Sequence, residues 1–159
     1  MNALELIRAL AHDAAVGIVV TDALIEAPGP TILYANPAFE RLVGRDLDGI
    51  VGRSPRFMQG KETRQATVDA FRRAMAAGER FHGYLNNYRA DGTKYRAKLN
   101  CLPFRAADGR IEHFVAFERE VIRRVGRPAV SAAGRYEPAS ASNDLLTGAL
   151  RNLAIFEHV

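Results

Sequence analysis

The chain of 159 residues has a single cysteine, Cys101. One thiol can form neither an internal disulfide nor a thiolate metal cluster. The four histidines, at positions 12, 82, 113 and 158, show no His-x3-His or HExxH spacing, so no metal ligand set stands out. No apolar run approaches the roughly 18 residues that a bilayer-spanning helix needs. The first residues, MNALELIRAL, carry Glu5 and no cleavage-site pattern, unlike a secretory signal. A cytoplasmic protein with no membrane contact is expected. Excess charge is also scarce: 22 Lys plus Arg against 18 Asp plus Glu leave a net +4, a weak pull toward anions. The densest basic run, Arg119, Arg123, Arg124 and Arg127, is interleaved with Glu118 and Glu120. It reads as a solvated face, and no nucleic-acid partner is expected. Without a Ser-His-Asp or Cys-His arrangement or paired carboxylates, an enzyme is not expected either.

What the chain does contain is one domain's worth of alternating patterns. Leu4, Ile7, Leu10 and Ala11 fall at helical spacing and predict an amphipathic helix within residues 1–15. GIVVTD (17–22) and TILYAN (31–36) read as two strands of a hairpin. Asn36-Pro37 opens a helix, with Asn36 as its cap and Gly44 as its stop. A longer helix follows Thr63, the expected cap, and ends at Gly78. Three strands, 82–89, 93–104 and 110–120, are joined by Asp91-Gly92 and Asp108-Gly109, both strong hairpin signals. Two strands, helices, then three strands predict an α+β domain on one antiparallel sheet. Residues 121–143 are rich in Gly, Pro, Ala and Ser and read as a linker or loose extension. Residues 144–159 carry Leu146, Leu150 and Leu153 and predict a C-terminal helix. Two-residue alternation turns Tyr84, Tyr88, Val115 and Phe117 toward the outer sheet face. It groups Ala97, Leu99 and Cys101 on the inner one, where Cys101 reads as an inert small hydrophobe.

Within this order, the Asn36-Pro37-Ala38-Phe39 segment, GRSPRFMQG at 52–60 and NYRADG at 87–92 together resemble the LOV-type PAS domain over residues 16–120. The resemblance implies a PAS fold: a five-stranded antiparallel sheet with helices on one face, plus flanking terminal helices. It also implies FMN between sheet and helices. The family's usual signature reads GRNCRFLQG, where the cysteine attacks flavin C4a. Here Ser54-Pro55 stands in place of Asn-Cys, and proline has no thiol.

The resemblance carries over residue by residue. Arg56 and Arg72 match the pair that binds the FMN phosphate, and two guanidiniums on one phosphate give strong charge-assisted hydrogen bonds. Gln59 matches a residue near the ribityl chain. Asn87 matches the first of two asparagines that read the ring's pyrimidine edge; the second falls at Ala97. Leu99 lies on the ring side. The family's signalling glutamine falls at Glu118. That carboxyl either stays protonated beside the ring or reaches solvent at a strand end, paired with Arg119 or Arg96.

The expected function is a sensory domain that binds FMN non-covalently, without a cysteinyl adduct, and responds to light by flavin photoreduction. Output is expected through a homodimer or an unidentified effector protein. The alternative is a flavin-free PAS module acting in dimerisation or holding another small ligand.

Overall fold

The computed structural model describes residues 2–123 and 136–138. The predicted C-terminal helix at 144–159 lies outside them. An antiparallel sheet is built from β1 (Gly17–Asp22), β2 (Ile32–Ala35), β3 (Phe81–Tyr88), β4 (Lys94–Arg105) and β5 (Ile111–Arg123), in the spatial order β2-β1-β5-β4-β3. The five-stranded α+β fold is as the sequence predicts. A short β6 (Tyr136–Pro138) adds to it by pairing with Val121, Ile122 and Arg123 at the end of β5. The stretch assigned to a linker from residue 121 therefore begins with the last turn-free residues of a strand and also contributes one.

Strict alternation divides the core between the two sheet faces. Val19, Phe114 and Ala116 face one cluster, while Ile18, Val20, Val115 and Phe117 face another. The first is closed by α2 (Pro37–Val43) and α3 (Gln65–Ala77), through Phe39, Val43, Val68 and Met75. The second is closed by α1 (Ala3–Ala11), through Leu4, Ile7 and Ala11. Leu10 does not join them. It is half exposed, like Leu6 one helical turn before it, because the seam between α1 and the sheet is narrower than the apolar stripe suggests.

Local chemistry explains most boundaries. Each Asp-Gly turn places its glycine at a φ of 85°, and the aspartate accepts from the backbone two residues on, Thr93 N at 2.8 Å and Arg110 N at 3.0 Å. Gly44 ends α2 in the left-handed region at a φ of 69°. Thr63 does not cap α3. Arg64 holds the cap position with no side-chain bond, because the Thr63 hydroxyl donates to Asn86 O at 2.6 Å and accepts from Gly60 N at 3.0 Å. Residues 60–63 thus bind along the free edge of β3, and Tyr88 leaves the expected outer row to join them. Its ring lies where a Cβ on Gly60 would stand, and its hydroxyl accepts from Glu62 N at 3.0 Å.

Asn36 caps α2 as predicted and does more. Its side chain is fully buried; Oδ1 accepts from Phe39 N (3.0 Å) and Ile18 N (2.8 Å), while Nδ2 donates to Ala11 O (2.8 Å) and Val16 O (2.9 Å). One amide ties together the ends of α1, β1 and α2. Asn36→Ala would leave those groups unpaired where water cannot reach, and is expected to cost about 2–4 kcal/mol, read as a lowered urea midpoint. Asn36→Asp, which keeps the acceptor and loses both donors, should fall between the two.

Candidate functional site

Between the sheet, residues 54–59 and α3 lies a hollow of ≈ 100 Å³, reaching ≈ 910 Å³ with its open mouth included. Its wall is mostly apolar: Val19, Ile25, Met58, Val68, Phe71, Met75, Leu85, Phe114 and Ala116. All eight residues singled out in the sequence, Ser54, Pro55, Arg56, Gln59, Arg72, Asn87, Leu99 and Glu118, line this one space. Ala97 does not. It is buried outside the lining, so the group of three inner-face residues on β4 reduces to Leu99 and Cys101.

The wall is polar at two places. At the better exposed one, Pro55 opens the 3-10 turn Pro55–Met58, capped by the Ser54 hydroxyl, which accepts from Arg56 N at 3.4 Å. Proline suits that first position, where its missing N–H costs nothing. The turn aims Arg56 back at the β1–β2 loop, where its guanidinium donates to Gly29 O (3.1 Å) and Ile25 O (3.2 Å). Arg72 reaches the same hollow from α3. Neither arginine forms an ion pair among the described residues, so two uncompensated cations border one space.

The second polar place is buried. Glu118 is 2% exposed, set in the middle of the sheet between Gly17 of β1 and Leu99 of β4. It does not reach solvent, nor does it pair with Arg96 or Arg119; β5 runs on to Arg123, so the carboxyl is not at a strand end. Its Oε1 accepts from the Tyr95 hydroxyl at 2.7 Å and from Asn87 Nδ2 at 3.1 Å. Burial raises the carboxyl's pKa above the ordinary range, and the two hydrogen bonds only partly oppose it. In the protonated carboxyl the hydrogen sits on Oε2, because Oε1 accepts twice. A Cβ on Gly17 would stand 2.9 Å from Glu118 O and 3.3 Å from Phe39 Cα, so only glycine lets β1 lie this close to β5 and α2 here.

Tyr95 was not foreseen as part of the site. The register of the Asp91-Gly92 hairpin sets it opposite Asn87, and that register could have been counted out from the turn. Its ring packs under the Arg89 guanidinium at 4.4 Å, and Arg89 is held by Glu120 at 2.7 Å and by Leu42 O at 2.9 Å. Cys101 also lines the hollow. Its Sγ lies 3.5 Å from Met75 Sδ, and burial pushes its thiol up to about 12, so it holds no reactive thiolate at neutral pH.

A folded pKa above the unfolded one gives the pH dependence a definite sign. Glu118 contributes full stability below the ordinary carboxyl pKa of about 4.3, and that contribution is lost as pH rises through the raised folded value. Glu118→Gln has no such proton to lose. The urea midpoint of the variant minus that of the native chain should therefore grow with pH from acid toward neutral; parallel profiles would show that Glu118 is not buried as a neutral acid.

A family model for the PAS domain matches residues 16–121. The chain belongs to the PAS domain family. Among curated relatives, the blue-light-activated histidine kinase of Brucella abortus (strain 2308) is 36% identical over 100 residues, covering 63% of this chain and 20% of the relative. The bacterioopsin transcriptional activator of Halobacterium salinarum is 33% identical over 113 residues, 71% of this chain and 16% of that protein. This PAS chain thus spans a fifth or less of the length of those relatives. Solved structures give the same placement. An RNA-binding Light-Oxygen-Voltage receptor shares 33% identity at a TM-score of 0.67, over 74% of this chain and 33% of its own. The LOV domain of the Erythrobacter litoralis EL346 blue-light activated histidine kinase shares 28% at 0.61, over 66% and 94%. This PAS domain is homologous to the LOV domains of blue-light receptors.

Proposed function

We propose that this PAS domain is a flavin-based sensor that binds FMN non-covalently in the hollow between the sheet and α3 and responds to light without a cysteinyl adduct. The observation that carries the reading is the convergence of Arg56 and Arg72 on one apolar hollow whose buried end presents Asn87 and Glu118. The donor set suits FMN. Two guanidiniums with no ion pair among the described residues fit a terminal phosphate, the apolar walls fit a ring system, and a carboxyl O–H beside an amide fits the polar edge of that ring. When bound, the flavin supplies the light absorption and the electron-accepting chemistry.

The chain's own residues do the rest. Arg56 and Arg72 would hold the phosphate, and Gln59 would serve the ribityl chain. Leu99 would supply apolar contact for the ring, and Asn87 and Glu118 would hold its polar edge. Pro55, capped by Ser54, stands where the family's thiol would be, so the response passes instead through hydrogen bonds at Glu118 and on to the sheet. Output runs through a homodimer or an effector protein. The half-exposed Leu6 and Leu10 on α1 supply an apolar strip for the first. The expectation of no nucleic-acid partner loses its support, since one structurally similar protein is an RNA-binding receptor.

A flavin-free PAS module is the second reading. It is favoured by the small enclosed volume, ≈ 100 Å³, against the roughly 300–1,000 Å³ of ordinary ligand pockets. Denaturing the purified protein and analysing the supernatant separates the two: released FMN supports the sensor, and a colourless protein that takes up none supports the module.

A further inference from the structure

The site contains a redox-active side chain to which the account above gives no task. Tyr95 is 3% exposed, and it is not itself a wall of the hollow. Its hydroxyl stands behind the wall, 2.7 Å from Glu118 Oε1 and 3.8 Å from Met58 Sδ, and both Glu118 and Met58 do line the hollow. A carboxyl therefore lies between a phenol and the space where the ligand sits. Above the phenol ring, at 4.4 Å, is the Arg89 guanidinium.

This stacking constrains what Tyr95 can do. A cation over an aromatic face is attracted by the ring's π electrons, and the attraction turns to repulsion if the ring loses an electron and keeps its proton. Oxidation of Tyr95 must therefore release the phenolic proton at the same time. The acceptor is already in place, because Oε1 receives that proton's hydrogen bond. A neutral carboxyl that gains a proton on Oε1 must give up the one on Oε2, the oxygen that Tyr95 and Asn87 leave free.

Resting on the flavin reading above, we propose that Tyr95 is the internal electron and proton donor to the light-excited flavin, with Glu118 as the relay. One electron passes from Tyr95 to the flavin. The Tyr95 O–H bond breaks as Glu118 Oε1–H forms, and the Oε2–H bond breaks as its proton passes to the flavin. In sum Tyr95 loses one hydrogen atom and the flavin gains one. Glu118 is unchanged in composition, its proton moved from one oxygen to the other. Oε2 changes from hydrogen-bond donor to acceptor in the middle of the sheet, between Gly17 and Leu99, and the reverse transfer in the dark restores it. The cycle needs neither a thiol nor an added reductant.

The test is electron paramagnetic resonance on the FMN-loaded native protein, illuminated and frozen without reductant, with flavin content measured first and the signal read per bound flavin. A tyrosyl radical is expected in the light and absent after dark recovery, its spectrum narrowed when the protein is grown on ring-deuterated tyrosine and its formation slowed in D2O. Tyr95→Phe should abolish it, and Glu118→Gln should reduce it, because an amide is a poor proton relay. A flavin-loaded native protein with no tyrosyl radical would overturn the proposal. So would an undiminished radical in Tyr95→Phe, which would place the donor at another tyrosine. If the protein takes up no flavin, the content measurement shows this before illumination, and the flavin reading falls together with the proposal built on it.

Discussion

Replacing Arg56 and Arg72 together by alanine should weaken FMN binding about a hundredfold, while riboflavin, which has no phosphate, should bind the variant and the native chain almost alike. Each hydrogen bond to a charged group contributes roughly 1.5–3 kcal/mol, and each 1.4 kcal/mol is a factor of about ten. Both side chains are only half-buried, so solvent screening holds each to the lower end, about tenfold apiece. The two should not be equivalent. Arg56 also donates to Gly29 O and Ile25 O, so its loss should loosen the β1–β2 loop as well as the phosphate. Arg72, with no such bond, gives the cleaner measure. Arg56→Lys should recover little, because an ammonium keeps the charge and loses the planar fork. Equal losses for FMN and riboflavin would show that the arginines hold the fold and not a phosphate.

The second large effect is all-or-none. Blue light should yield no cysteinyl adduct in the native chain. On the proposed reading Pro55 occupies the turn position of the family's thiol, and a proline cannot supply sulfur. Cys101, the chain's one cysteine, lines the hollow but sits against Met75 Sδ with its thiol pushed up to about 12. With reductant present, illumination should instead reduce the flavin, and Cys101→Ala should leave that light-minus-dark spectrum unchanged. A dark-reversible adduct lost in Cys101→Ala would assign the chemistry to Cys101. Pro55→Cys would restore a thiol and also an amide donor and a free φ, so the native spectrum is the more direct test.

Features set by a few neighbouring residues were legible in the sequence. The two Asp-Gly turns, the Asn36-Pro37 start and the Gly44 stop each depend on local backbone geometry, and they led to the succession of strands and helices along the chain. Thr63 was misread because its hydroxyl serves a distant partner, Asn86 on the edge of β3, and nothing local favours that over a helix cap. Glu118 was ambiguous for a related reason. In FERE the carboxylates alternate with Arg119, and whether Glu118 points inward depends on how far β5 extends and on what faces it across β4. Tyr95 was missed although the hairpin register sets it opposite Asn87; that its hydroxyl reaches Glu118 depends on how β5 lies across β4.

The most direct measurement is a titration of flavin-free protein with FMN, followed by quenching of flavin fluorescence and by the fine structure that a rigid, dry site gives to the absorption band. Saturation at one FMN per chain, with riboflavin binding more weakly by the phosphate's share, is the predicted result. A fluorescence signal that stays that of free FMN, with no saturation even in large excess of protein, would contradict the assignment of this hollow as a flavin site.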